Sequence, residues 1–454
     1  MNKSWLRSAI LFALLTSGCG LVETPNELMR APSSDSDQKS INQAIMQYLP
    51  AGSQLTVPLN PDESSAVSLR DLDADGIPEA VAFYKTEKND YEIGVLILTQ
   101  NKGHWEKLTS FSNIGNRLDF VQFVDLTGDS QLEILIGLGG GDDLNKELSI
   151  YSLVQGRLQE QMKLPYSVLA VGDLDQDGKA ELAVIVHDHD KLVSTLHLYG
   201  AVDQKIAKLA EQTLDGHVNG YDQAVIGKAS PDKNGLFIEA GLGAHSASTD
   251  LWIWEDGKLR NPLAKINNEM ELTFKPYPLF SEDINQDGLI EIGIHTQPPG
   301  TEDLPMYAIP WIASYFQWDG KDGLVHVEDH YQNYDYGLDF RIPDKWAGKF
   351  TVATEPQNEP QMTTFYYYLE ATGEKLPLLT LQAVPQQEWS KAAEKWEQQQ
   401  RSYVILKEGG KTVHVAIQPE MPSKMSASTR EAYSSMLLST EEIRQFYRPL
   451  QMPL

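Results

Sequence analysis

The chain has 454 residues and one cysteine, Cys19. One sulfur excludes an intrachain disulfide and any thiolate metal centre. Basic residues are scarce: 37 Lys and Arg stand against 64 Asp and Glu, a formal net charge of −27. Such a surface repels nucleic acid and suits cations. No apolar run is long enough to cross a bilayer as a helix. Nor does the sequence contain G-x-S-x-G or H-E-x-x-H. The glycine run at Gly139 follows strand-like sequence but leads into neither a lysine nor a helix, so it is not a phosphate loop.

What is present begins with Lys3 and Arg7, then the apolar run Ala9 to Leu15, then small residues up to Cys19. This is the pattern of an export signal. Leu15-Thr16-Ser17-Gly18-Cys19 resembles the bacterial lipobox, with Thr16 where that family usually has leucine. The resemblance implies cleavage before Cys19, acylation of its sulfur, and a lipid anchor on the outer face of a bacterial membrane. Residues 20–39 are rich in Pro, Ser, Asp and Glu and read as a tether. Residues 40–49 carry apolar positions at helical spacing and open the folded part.

Four acidic segments then align without gaps, starting at 71, 125, 173 and 283. They read D-x-[D/N]-x-D-G-x-x-E. The carboxylate or amide positions are Asp71, Asp73, Asp75 and Glu79; Asp173, Asp175, Asp177 and Glu181; and Asp283, Asn285, Asp287 and Glu291. The second copy keeps Asp125, Asp129 and Glu133 but has Thr127 at position three and Ser130 at position six. The period is about fifty, with one double step, and so marks a propeller or solenoid. Residues 224–239 occupy the skipped position as a repeat without its acids. Strand-like sequence flanks every loop, and a second hairpin follows each, giving four short strands per repeat.

Carboxylates at positions one, three, five and nine, with the backbone carbonyl of position seven (Ile77, Gln131, Lys179, Leu289), form an all-oxygen set suited to Ca²⁺. An EF-hand needs Glu at position twelve; here that position is Ala82, Ile136, Val184 and Ile294. Tandem hairpin loops of this form resemble the FG-GAP or VCBS repeats of integrin-α-like propellers. The resemblance covers about residues 55–333 and implies a β-propeller with Ca²⁺ in its loops, less securely held in the Asp125 loop.

In such a blade the second-to-third connections lie on the face opposite the calcium loops. There the sequence places Asp142, Asp143, His187, His189, His245 and Glu302, the candidate ligand face. Residues 334–454 lose the period and read as a smaller α+β domain, with strands, a helix over 388–401, a hairpin at Gly409-Gly410 and a closing helix over 429–446. Its element order and the spacing of Phe340, Pro343 and Trp346 loosely resemble PsbP-like domains. The expectation is therefore a mainly β, surface-anchored binding or scaffold protein without catalytic activity, meeting an extracellular protein or polysaccharide. The alternative is a propeller hydrolase or lyase acting on wall or extracellular polysaccharide.

Overall fold

In the computed structural model, residues 35–450 are described except 61–62, 64, 88, 141–145, 265–271, 356–361 and 424. Cys19, Asp142 and Asp143 therefore lie outside the described residues. The protein is mainly β, and its described strands form six antiparallel sheets. The first five follow one another along the chain as blades of a β-propeller, each built around a four-stranded meander or its remnant.

The first blade holds Val67–Arg70, Glu79–Thr86, Asn89–Asn101 and His104–Ile114, with Ser53–Leu55 pairing the far end of Glu79–Thr86 on the same edge as Val67–Arg70. The second runs from Arg117 to Tyr166 and the third from Val168 to Leu214. In the fourth, Gly220–Ser230 and Lys233–Leu242 are joined by a tight turn at Pro231-Asp232, where the other blades carry acids. In the fifth, the first strand is reduced to a bridge between Glu282 and Glu291. Ile292–Thr296, Ile312–Trp318 and Leu324–Asn333 complete it, and Leu338–Arg341 and the late strand Tyr447–Pro449 extend its edge.

Central strands of the blades are apolar at successive residues because both faces are covered. Ile134 and Ile136 meet Val81, Phe83 and Val95 of the first blade, while Leu135 between them meets Leu182 and Val184 of the third. Likewise Ala183 and Ile185 pack on Leu236 and Ile238, and Phe237 turns the other way to Ile292 and Trp318. The outer face of the first blade, Ala80, Ala82, Leu96 and Leu98, is covered by the helix Asp35–Tyr48 through Ile41, Ala44 and Ile45. That helix starts at Asp35 and so includes residues expected to belong to the tether.

The sixth sheet orders Phe350–Glu355, Met362–Leu369, Glu374–Pro385, Thr412–Ile417 and Tyr403–Lys407. Its core of Trp346, Phe365, Leu379 and Tyr433 is continuous with Ile312, Tyr331 and Phe340 of the fifth blade. The helix Trp389–Gln398 packs Trp389 and Trp396 on Val413 and Val415. The expected closing helix is two, Ala427–Met436 and Thr440–Phe446. Ser439 starts the second by accepting the Glu442 N–H, while the Glu442 carboxylate accepts the Ser439 N–H. This reciprocal cap satisfies two backbone donors and favours a new start over a continuous helix.

Candidate functional sites: acidic hairpin loops and an opposite aromatic cleft

The four acidic loops share one frame. Glycine at position six has φ of +85° to +87° in Gly76, Gly178 and Gly288, a left-handed turn that admits glycine without strain. In the second loop Ser130 adopts φ +72° at the same place. The glutamate at position nine is buried at the loop base and accepts the backbone N–H of position two in every copy: Leu72 to Glu79, Leu126 to Glu133, Leu174 to Glu181 and Ile284 to Glu291, at 2.7–3.1 Å.

The opposing residue on the third strand differs between blades. Thr99, Ser152 and Gln317 donate to Glu79, Glu133 and Glu291. Gly200 occupies that place beside Glu181 and has no side chain to donate. Burial raises all four carboxyls, with the loop aspartates adding repulsion, and Glu181 is pushed up to about 7.

The first and third loops go further. Asp71, Asp73 and Glu79 bring ligand oxygens within 4.8 Å of one another, and so do Asp173, Asp175 and Glu181. In these two loops Asp73 Oδ1 and Asp173 Oδ1 are buried without a hydrogen-bond partner among the described residues. Three carboxylates and an unpartnered acceptor oxygen form a donor set for a hard cation. The position-five carboxylates Asp75 and Asp177 accept the N–H of Ile77 and Lys179 and stand outside the two triplets.

The second loop satisfies itself: Asp125 accepts N–H groups from Thr127, Gly128, Asp129 and Ser130, and Asp129 accepts that of Gln131. The fourth resembles it in part. Asp283 accepts from Asp287 and Gly288, Asp287 accepts the N–H of Leu289, the Asn285 amide donates to Asp287, and the Gln317 amide donates to both Asp287 and Glu291.

On the opposite face, the connections before the first strands and between the second and third strands make a cleft over the third to fifth blades. His187 and His189 lie ring to ring at 5.9 Å, and His187 also meets Tyr221 at 5.8 Å. Its Nδ1 pairs with Ser194 Oγ at 2.7 Å, and burial lowers its pKa, which favours neutral imidazole. Beyond Tyr221, Asp222 and His245 line a hollow whose far wall is Tyr277 and Pro278. Asn219 ties that hollow to the Gly243 carbonyl.

The same Tyr277 and Pro278 begin a larger cavity of about 960 Å³ between the fifth blade, the connection over 297–311 and the sixth sheet. His295 sits in it between Tyr277 and Trp311, with burial pushing its pKa down to about 4. Glu302 stands at the rim, accepting the Gly300 N–H, and Lys375 reaches the Gly300 carbonyl. Gly300, at φ +74°, lies against the Tyr368 ring, so this connection is docked on the sixth sheet where a Cβ would be crowded.

Of the described candidates, His187 and His189 are in ring contact, His245 lines the hollow, and Glu302 lines neither the hollow nor the larger cavity but follows Thr301 of the latter's wall. Tyr277, His295, Tyr307, Trp311 and Lys375 escaped sequence reasoning. A signal existed: Pro276-Tyr277-Pro278 and Pro305-Met306-Tyr307-Ala308-Ile309-Pro310-Trp311 hold aromatics in proline-stiffened connections.

No family model matches the chain, and no curated protein matches it. Among solved structures it is similar to the rhamnogalacturonan lyase YesW (13% identity over 68% of this chain and 74% of that one, TM-score 0.32). It is also similar to the Bacillus licheniformis rhamnogalacturonan lyase PL11 (12%, 72% and 76%, TM-score 0.31). A third is the β-propeller domain of the Trilobed protease from Pyrococcus furiosus (12%, 70% and 89%, TM-score 0.29).

Proposed function

We propose that this protein is a lipid-anchored binding module at a bacterial surface, whose first and third acidic loops hold Ca²⁺ as a structural ion. On this reading the opposite face carries the ligand, and no chemistry is performed. One observation carries the calcium assignment: Asp73 Oδ1 and Asp173 Oδ1 are buried without partners among the described residues, beside buried glutamates. Leaving such acceptors unpaired costs about 1–3 kcal/mol each, and a cation removes the cost. The FG-GAP or VCBS resemblance agrees with this role, and so does the lipobox ending at Cys19 with the anchor.

Calcium content and melting temperature test it. Extracellular modules bind Ca²⁺ at about 10⁻⁴–10⁻³ M, so about 2 mM ion stabilises by roughly 0.6–1.8 kcal/mol per site. EGTA lowers the melting temperature, and about two ions per chain appear in elemental analysis. A chain without bound calcium and indifferent to EGTA ends the reading. Cys19→Ser releases the protein from membranes; a variant cleaved yet still membrane-bound refutes the anchor.

A second reading, a hydrolase or lyase, rests on Asp222, a carboxylate that lines the hollow with His245 and so has a place for acid–base work. Asp222→Asn abolishes polysaccharide cleavage if that reading holds. Absence of any cleavage by the unaltered protein removes it.

A further inference from the structure

The chain carries a strong acidic excess, yet the large cavity beside the fifth blade has no carboxylate among its described lining residues and a single cation, Lys375. Glu302, at the rim, is held below the usual carboxylate range by the N–H groups of Glu302 and Gly300 and by Lys375. The two rim charges offset each other. His295 inside is neutral at ordinary pH. An ion entering this space would leave water without gaining a dedicated counter-charge, which is costly.

The remaining surface is of two kinds. Tyr277, Tyr307, Trp311 and Tyr334 line it with rings, and Thr354 and Gln332 with polar groups, the Gln332 amide being paired with Tyr315 and Tyr334. Tyr307 is 85% exposed and Tyr334 50%, unusual for rings lining a concavity, and Tyr307 sits beside Pro305 in a short 3₁₀ helix. Buried Nδ1 of His295 has no hydrogen-bond partner among the described residues. A volume of about 960 Å³ lies at the upper end of the roughly 300–1,000 Å³ of small-molecule sites.

A molecule matching this surface is uncharged, ring-shaped, apolar on its faces and rich in hydroxyls at its edge. We propose that the cavity between the fifth blade and the sixth sheet binds a short neutral oligosaccharide, its sugar rings stacked on Tyr307 and Trp311. The aromatic faces meet the axial C–H groups, whose edges are electropositive relative to the π clouds. The hydroxyls take the Thr354 hydroxyl, His295 Nδ1 and the phenols of Tyr277 and Tyr307. A peptide fits less well, because its backbone would need a row of donors and acceptors that this wall does not present. The proposal rests on the reading that this face, and not the calcium face, is the ligand face.

The test uses the full-length chain in about 2 mM Ca²⁺, titrated with neutral tetrasaccharides of glucose, galactose, mannose and N-acetylglucosamine. A tetragalacturonate and a proline-rich peptide serve as the charged and peptide arms. Binding is followed by calorimetry and tryptophan fluorescence. At least one neutral sugar binds saturably; Tyr307→Ala weakens it about tenfold, the loss expected of one stacking contact. Trp311→Phe removes the fluorescence change, and Ala353→Trp, which fills the cavity, abolishes binding. Tyr307→Ala keeps the parent melting temperature, because its side chain is solvent-facing.

Saturable binding of none of the neutral sugars overturns the proposal. Tighter binding of the galacturonate or the peptide does the same, as does neutral-sugar binding untouched by Tyr307→Ala and Ala353→Trp. If EGTA still lowers the melting temperature in that case, the calcium reading stands and this inference alone falls. Sugar binding by a chain indifferent to EGTA upholds the oligosaccharide site and ends the calcium reading instead.

Discussion

The third and second acidic loops sit in adjacent blades on the same strand frame, and they solve one electrostatic problem in two ways. In the second, Asp125 collects four backbone N–H groups and Glu133 takes a hydroxyl from Ser152. In the third, Asp173 keeps an oxygen without a partner among the described residues, Asp175 and Glu181 stand beside it, and Gly200 offers Glu181 no donor. A loop with polar valence left over can take a cation; one that has spent it on its own backbone is complete alone. Within the shared acidic and glycine positions of the pattern, the second loop departs at positions three and six, with Thr127 for an acid and Ser130 for glycine.

The sharpest break in this comparison comes from removing the first carboxylate of each. Asp125→Ala strands several backbone donors at once and should lower stability by about 1–2 kcal/mol, equally with Ca²⁺ and with EGTA. Asp173→Ala should cost about 0.6–1.8 kcal/mol in about 2 mM Ca²⁺ and much less in EGTA. Calorimetry of both variants in both buffers checks the pair; matching calcium responses would erase the distinction between the loops.

The reverse experiment restores the lost pattern. Thr127→Asp with Ser130→Gly should add one calcium ion per chain by elemental analysis. It should also raise stability in Ca²⁺ by about 1 kcal/mol, partly by relieving a non-glycine residue from a left-handed conformation. A double variant that binds no further ion would place the difference elsewhere in the loop. Asp129→Ala, whose carboxylate caps only the Gln131 N–H, should cost about 0.5 kcal/mol in melting experiments.

The smallest effect concerns charge that is satisfied without any ion. His330 is fully buried, with Nδ1 2.6 Å from Asp339 and Nε2 2.8 Å from Glu328. Burial pulls its pKa down, but the two carboxylates outweigh this and the nearby Arg448, and the net shift is upward. A folded-state value above the unfolded one stabilises fully below about pH 6.5 and is lost as pH rises through the folded value. The fifth blade and its edge strand Tyr447–Pro449 should therefore loosen on the alkaline side, seen as faster amide exchange there. In His330→Gln that pH dependence should vanish.

The acidic loops and blades were legible because their signals are local. Glycine at position six, carboxylates two residues apart and flanking apolar runs each act within about ten residues, and repetition at a period of about fifty multiplies them. The last helical stretch divides for a local reason as well: Ser439 and Glu442 form a capping box inside an otherwise continuous helical pattern. The edge strand Tyr447–Pro449 had no such signal, since its partner Leu338–Phe340 lies far back along the chain.

By itself the sequence determined the mainly β class, the blade repeat, the acidic loop pattern and its degraded second copy. The reason is that hairpin geometry and carboxylate spacing are fixed by neighbours along the chain. Among the described residues, only the tertiary structure decided which loops keep an unpartnered oxygen, because that depends on how each loop closes: four backbone N–H groups turn onto Asp125, and Asn285 and Gln317 reach Asp287, whereas Asp73 Oδ1 and Asp173 Oδ1 meet no donor. The aromatic cavity was likewise decided there. Tyr277, His295, Trp311, Tyr331 and Lys375 share a wall because the sixth sheet docks on the fifth blade, and nothing in their order along the chain requires it.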